Sequence, residues 1–146
     1  MTGLKDLEMA VPATEEWLSD LMHRLGWQDR EKVYLALIAA LHALRDCLPF
    51  EEAIYVGEYF PPLLRGLYYE GCHPKRRPVR SRKVFLERIH DGVHRDPGID
   101  PELVAHAVFS LLATRLPASE LEEAKAVTPE PLRAIWPSRA GGGFDL

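Results

Sequence analysis

Apolar residues recur at intervals of three and four along most of this chain, the period of an α-helix. Leu18, Leu21, Met22 and Leu25 share one helical face; Thr14 with Glu15 and Glu16 forms an acidic first turn, and Gly26 sits where a C-cap belongs. Asp29 predicts the cap of a long helix through "REKVYLALIAALHALRDCL" that stops near Leu48-Pro49. The segments "FEEAIYVGEYF" and "PPLLRGLYY" then read as shorter helices opened by prolines. Further on, Ser81 predicts a cap for "RKVFLERIHDGVH", Asp100-Pro101-Glu102 a start for "LVAHAVFSLLATRL", and Ser119 with Glu122 a capping box.

The two sets of elements follow the same order, and a shift of 68 residues without a gap aligns them. Trp17 falls on Phe85, Leu21 on Ile89, Leu41 on Phe109 and Tyr68 on Trp136. Identities fall in the same register: Leu18 with Leu86, Leu44 with Leu112, Leu48-Pro49 with Leu116-Pro117, Glu52 with Glu120, Pro61 with Pro129, and Leu64-Arg65 with Leu132-Arg133. Two Leu-Pro steps and two Leu-Arg pairs in one register point to an internal duplication. The helices "VYLALIAALHAL" and "LVAHAVFSLLATRL" are apolar nearly all round, so each must be covered on several sides. The expected fold is therefore all-α: two tandem repeats of about four helical segments each, packed about an approximate twofold into one domain. Residues 1–13 form an N-terminal segment, 14–69 the first repeat, 70–81 a basic linker and 82–136 the second repeat; 137–146 read as a disordered tail.

Composition sets the class. With 47% hydrophobic and 27% charged residues over 146 positions, the chain can bury one core, and no window approaches a membrane span. The N-terminus has acids early and no long apolar run, so a cytoplasmic location is expected. Cys47 and Cys72 lack paired spacing and read as free thiols. The net charge of -4 conceals a division: both repeats are acidic, and "GCHPKRRPVRSRK" gathers Lys75, Arg76, Arg77, Arg80, Arg82 and Lys83.

The stretch "LGWQDREKVYLALIAALHALRDCLPFEEAIYVGEYFPPLLRGLYYEG", with "FLERI" and "LPASELEEAKAVTPEPLRAIW", resembles a bacterial family known as domain of unknown function 2267, over roughly Trp17 to Trp136. The resemblance implies a small, all-helical bacterial protein and carries no catalytic residue with it. After "YYEG" that family has tryptophan where this chain has Cys72.

The candidate chemistry is thin. His90 and His94 lie four apart on one helix, with Cys72 and His73 earlier in the chain, but the buried stripe of that helix is Phe85, Leu86, Ile89 and Val93, so solvent-facing histidines explain the spacing and no metal is expected. No phosphate loop, nucleophile elbow or catalytic triad order is present in the sequence, and neither a catalytic residue nor a cofactor is expected. Glu52 with Arg65 and Glu120 with Arg133 read as ties between the third and fourth helices of each repeat. Tyr55, Tyr59, Phe60, Tyr68 and Tyr69 are aromatics that the second repeat mostly lacks. They are either packed internally, against "LKDLEMAVP" for example, or candidates for a partner-binding surface. The six cations of the linker are candidates for anion binding, but the acidic halves and a pI near 5.9 disfavour nucleic acid, and Pro74 and Pro78 suit an extended strap whose cations face the chain's own carboxylates. The expected function is a non-enzymatic protein-interaction or small regulatory module that binds a protein partner or a second copy of itself and no membrane. The alternative is a binder of nucleic acid or a small anion through the linker and adjoining tyrosines.

Overall fold

A computed structural model describes residues 3–138. These contain eight α-helices and a closing 3-10 helix, with no strand. The helices are α1 (Leu4–Glu8), α2 (Ala10–Leu25), α3 (Arg30–Cys47), α4 (Phe50–Gly57), α5 (Pro62–Tyr69), α6 (Arg82–Gly92), α7 (Pro101–Arg115) and α8 (Ala118–Val127); the 3-10 helix is Glu130–Ile135.

Local chemistry explains most of these boundaries. The Asp29 carboxylate accepts from the Glu31 and Lys32 amides, the Ser81 hydroxyl from Val84 and the Asp100 carboxylate from Glu102, and each thereby engages amide groups that a first helical turn leaves free. Gly26 ends α2 in the left-handed region at φ 72°, where a side chain would be strained. Three expectations need correction. Helix α2 begins at Ala10, not near Thr14, and carries Pro12 in its first turn, where the missing N–H is no loss. Glu15 and Glu16 are thus mid-helix residues. Helix α8 starts directly after Pro117 with no side-chain cap, so Ser119 and Glu122 do not form a capping box. The last segment of the second half is a six-residue 3-10 helix, containing Pro131 and preceded by Pro129. The sequence reading of residues 139–146 lies outside the described residues.

Helices α3 and α7 form the centre. Leu37, Leu41, Leu44, Val108, Phe109, Leu111 and Leu112 are all fully buried, as the nearly all-round apolar pattern of these helices requires. Helix α3 packs on α2, α4, α5, α6 and α7, while α7 packs on α2, α3, α6 and the 3-10 helix. The approach of α3 to α6 is so close that a Cβ on Gly92 would collide with Ala39. One aromatic stack, Trp17–Phe60–Tyr68, fills the first half, and another, Phe85–Phe109–Trp136, the second. Helix α1 buries none of its residues.

Candidate functional site

The linker leaves α5 through Gly71, in the left-handed region at φ 80°, and runs across the C-terminal end of α3. A helix C-terminus presents unpaired carbonyls and partial negative charge, which suits a cation. Arg76 occupies that place. Its guanidinium donates to the carbonyls of Arg45 (2.7 Å), Leu48 (3.0 Å) and Asp46 (3.2 Å), and the Val79 amide adds a bond to the Asp46 carbonyl at 2.8 Å. The Asp46 carboxylate beneath is a hub. Arg45 grips it with two bonds of 2.8 and 3.1 Å, Arg88 of α6 reaches it at 3.0 Å, and Arg76 stands 3.6 Å away. Arg45 also donates to the carbonyls of Tyr68 and Glu70, so one buried network ties together α3, α5, α6 and the linker.

Of the six cations of the basic stretch, Arg76 in the linker and Arg82 at the start of α6 face the chain's own carboxylates, Arg82 pairing with Glu102 at 2.7 Å. Lys75, Arg77, Arg80 and Lys83 are exposed and form no ion pair among the described residues. The strap expectation holds for two residues, and the other four form a solvated basic rim.

The aromatic candidates separate in the same way. Tyr55 and Tyr59 are 45% and 44% exposed, but Phe60 and Tyr68 are core residues and cannot present themselves to a partner. Phe60 meets Trp17 and Tyr68 edge-on at centroid distances of 5.2 and 4.8 Å, and the Tyr68 hydroxyl donates to the Ala53 carbonyl at 2.7 Å. Burial pushes the Tyr68 hydroxyl well above its ordinary range. Tyr69 is half-buried, its hydroxyl bound to the Ile54 carbonyl at 2.8 Å. The cause of the asymmetry is internal. Where the first half fills its space with Phe60 and Tyr68, the second half uses Thr128 and Trp136, joined by a 2.9 Å bond from the indole N–H to the threonine hydroxyl. The "LKDLEMAVP" segment does not cover these aromatics, since α1 stays exposed on α2.

Among the described residues neither Glu52 nor Glu120 pairs with an arginine. Arg65 donates to the carbonyls of Gly57, Glu58 and Phe60, and Arg133 to those of Ala126 and Thr128, so both guanidiniums close the turns after α4 and α8. The two glutamates instead meet each other where α4 packs on α8. Each residue is only 9% exposed, and Oε2 of each is sealed from solvent with no hydrogen-bond partner among the described residues. Burial, the hydrogen bond to Glu120 and the negative charges of Glu120, Glu123 and Glu51 push the Glu52 carboxyl up to about 8.

His90 bonds the Asp96 carbonyl at 3.0 Å, and among the described residues no group of three or more His, Cys, Asp or Glu is arranged to hold a metal ion. Burial pushes the Cys47 thiol up to about 12, which leaves no thiolate for chemistry at neutral pH.

An apolar groove escaped the sequence reading. It lies between α2, α3 and α5, has a volume of about 170 Å³ and is lined by Val11, Leu18, Tyr34, Leu37, Leu63 and Leu64 beside Thr14 and Glu15. Val11, Tyr34 and Leu63 remain exposed on its rim, and Leu4 and Leu7 continue the apolar face of Val11 at helical spacing along α1. The sequence signal was the spacing of Val11, Thr14 and Leu18, one face of α2 that runs past Pro12.

The profile of a family described as "Uncharacterized conserved protein (DUF2267)" matches residues 14–135. The chain belongs to the DUF2267 family. No curated protein matches it. Within this DUF2267 chain, no helix among the described residues is long and apolar enough to cross a membrane.

Proposed function

We propose that this DUF2267 protein is a non-enzymatic interaction module of the bacterial cytoplasm, built from two repeats packed about an approximate twofold. The duplication is supported by equivalent residues doing equivalent work at the 68-residue shift. Arg65 and Arg133 donate to carbonyls at matching positions, Glu58 with Ala126 and Phe60 with Thr128. Helix α3 packs on α6 as α7 packs on α2, and α4 meets its own counterpart α8. Where α3 offers Asp46 to Arg88 of α6, α7 offers Arg115 to Glu16 and Asp20 of α2, so the two seams carry opposite charge arrangements.

The observation that carries the interaction reading is the apolar groove between α2, α3 and α5, open at Val11, Tyr34 and Leu63. Its occupant in this reading is an amphipathic helix of a partner protein, laid along the groove with its apolar face inward and basic residues at its flanks. Charge complementarity supports the basic flanks only weakly: Asp6 and Glu8 stand on α1, which leads into α2, while Glu15 on the groove is paired with Arg30 at 3.1 Å. Tyr55 and Tyr59 are a secondary surface. A second reading, an anion binder, rests on the exposed cations Lys75, Arg77, Arg80 and Lys83, which form no ion pair among the described residues.

The test is affinity capture from the native cell with four folded forms: the parent, Leu63→Asp, Tyr55→Ala with Tyr59→Ala, and a form with Lys75, Arg77, Arg80 and Lys83 all changed to serine. A partner retained by the tyrosine and serine forms but lost by Leu63→Asp fits the groove. Capture indifferent to Leu63→Asp refutes it. Steep, salt-dependent heparin retention lost only in the serine form favours the anion reading.

A further inference from the structure

We propose that Glu52 and Glu120 form a proton-operated latch between α4 and α8, closed while the pair holds one shared proton and released when both carboxyls ionise. The geometry carries this inference. The two side chains come from opposite halves of the chain, face each other where α4 packs on α8, and are each nine-tenths buried. Oε2 of each residue is closed off from water with no N–H or O–H within reach among the described residues. Two ionised carboxylates there would place two acceptors and two like charges against each other with no donor. One proton solves both problems, because the protonated carboxyl donates to its neighbour and removes half the charge.

Both glutamates lie in the first turns of their helices, whose amide ends favour a carboxylate, but among the described residues no side-chain cation is free to neutralise the pair. On α4 and α8 the neighbouring charges are Glu51 and Glu123, both acidic. Lys125 of α8 pairs with Glu122, and Arg133 of the following turn is engaged by carbonyls. Of the elements packed on α4, α3 contributes Arg45 and Asp46, which hold each other. Helix α5 contributes Arg65, engaged by three carbonyls, and Tyr68 and Tyr69, whose hydroxyls donate to the backbone of α4.

The direction follows from linkage. A carboxyl whose folded-state value rises from 4.5 to about 8 binds its proton more tightly when the chain is folded. The latch's contribution is complete below about pH 4.5, declines as pH rises towards 8 and is gone above it. Mild alkalinity is thus the signal that loosens α4 from α8, while the Asp46 network holds the rest of the fold.

The experiment uses the full chain with its glutamate carboxyl carbons labelled for NMR, titrated from pH 4 to 10. A carboxyl signal with a midpoint near 8, assigned to this pair by its loss in Glu52→Gln or Glu120→Gln, together with faster intrinsic-rate-corrected amide exchange in α8 above that midpoint, is the expected result. The side-chain amide introduced by Glu52→Gln donates at every pH, so this variant should melt several degrees higher relative to the parent at pH 9 than at pH 6. If all glutamate carboxyls of the parent titrate between about 4 and 5, the latch does not exist. If one titrates near 8 while α8 exchange is unchanged, the pair is a shared proton without a latch, and the proposal fails. Should either glutamine variant not fold, the parent's titration assigned through Glu51→Gln and Glu123→Gln, with its amide exchange, decides.

Discussion

Replacing Asp46 by asparagine should be among the most damaging conservative changes in this protein. The carboxylate is 12% exposed and receives two bonds from Arg45 at 2.8 and 3.1 Å and one from Arg88 at 3.0 Å, with Arg76 at 3.6 Å. Removing one member of a buried ion pair ordinarily costs about 3–5 kcal/mol, because the remaining charge is stranded. Two features lower that figure. Arg45 retains the carbonyls of Tyr68 and Glu70, and Arg88 is 49% exposed, so its share is that of a surface pair, up to about 1 kcal/mol. The expected loss is about 2–4 kcal/mol, or a fall in Tm of about 10 °C for a domain of this size. Urea unfolding followed by circular dichroism, with the slope unchanged, gives the number directly. Arg88→Ala measured beside it should cost about 1 kcal/mol or less. An Asp46→Asn variant within about 0.5 kcal/mol of the parent would refute the hub.

Other expectations can be checked on the same samples. Arg76→Ala should lower stability by about 1–3 kcal/mol through the lost carbonyl bonds at the end of α3, whereas Arg77→Ser and Arg80→Ser should leave the urea midpoint unchanged. Gly92→Ala should destabilise by about 1–3 kcal/mol, because the added methyl meets Ala39 and α6 must withdraw from α3; Ala39→Gly in the same chain should recover part of the loss. In the folded protein at pH 8 a thiol reagent should label Cys72 alone, with Cys47 reacting only in denaturant; two fast thiols would contradict the burial of Cys47.

Much of the architecture was legible because it rests on local chemistry. Asp29, Ser81 and Asp100 cap helices as their positions predict, Gly26 ends one, and the all-round apolar pattern of α3 and α7 places both at the centre. Pro12 concealed the start of α2, since a proline in a first turn reads as a break although it costs that turn no hydrogen bond. Residues unshared between the halves were harder to read. Phe60 and Tyr68 could be read either as packed or as surface aromatics until their counterparts Thr128 and Trp136 are seen filling the same kind of space by a different division of volume. Glu52 and Glu120 were visible as residues on one register of the 68-residue shift, yet their meeting was not, because periodicity does not say which segments pack on each other. The hub at Asp46 depends on residues 30 to 42 positions apart, a separation that spacing arguments do not reach.

The two halves interlock, α3 packing on α6 and α7 on α2, so that neither should hold a core alone. Expressing residues 1–72 and 73–146 as separate fragments and recording circular dichroism before and after mixing puts that interlocking to the test. Each fragment should be largely unfolded by itself, and an equimolar mixture should regain the helical signal and a cooperative thermal transition. A fragment that melts cooperatively on its own, with no gain on mixing, would contradict the interlocked arrangement.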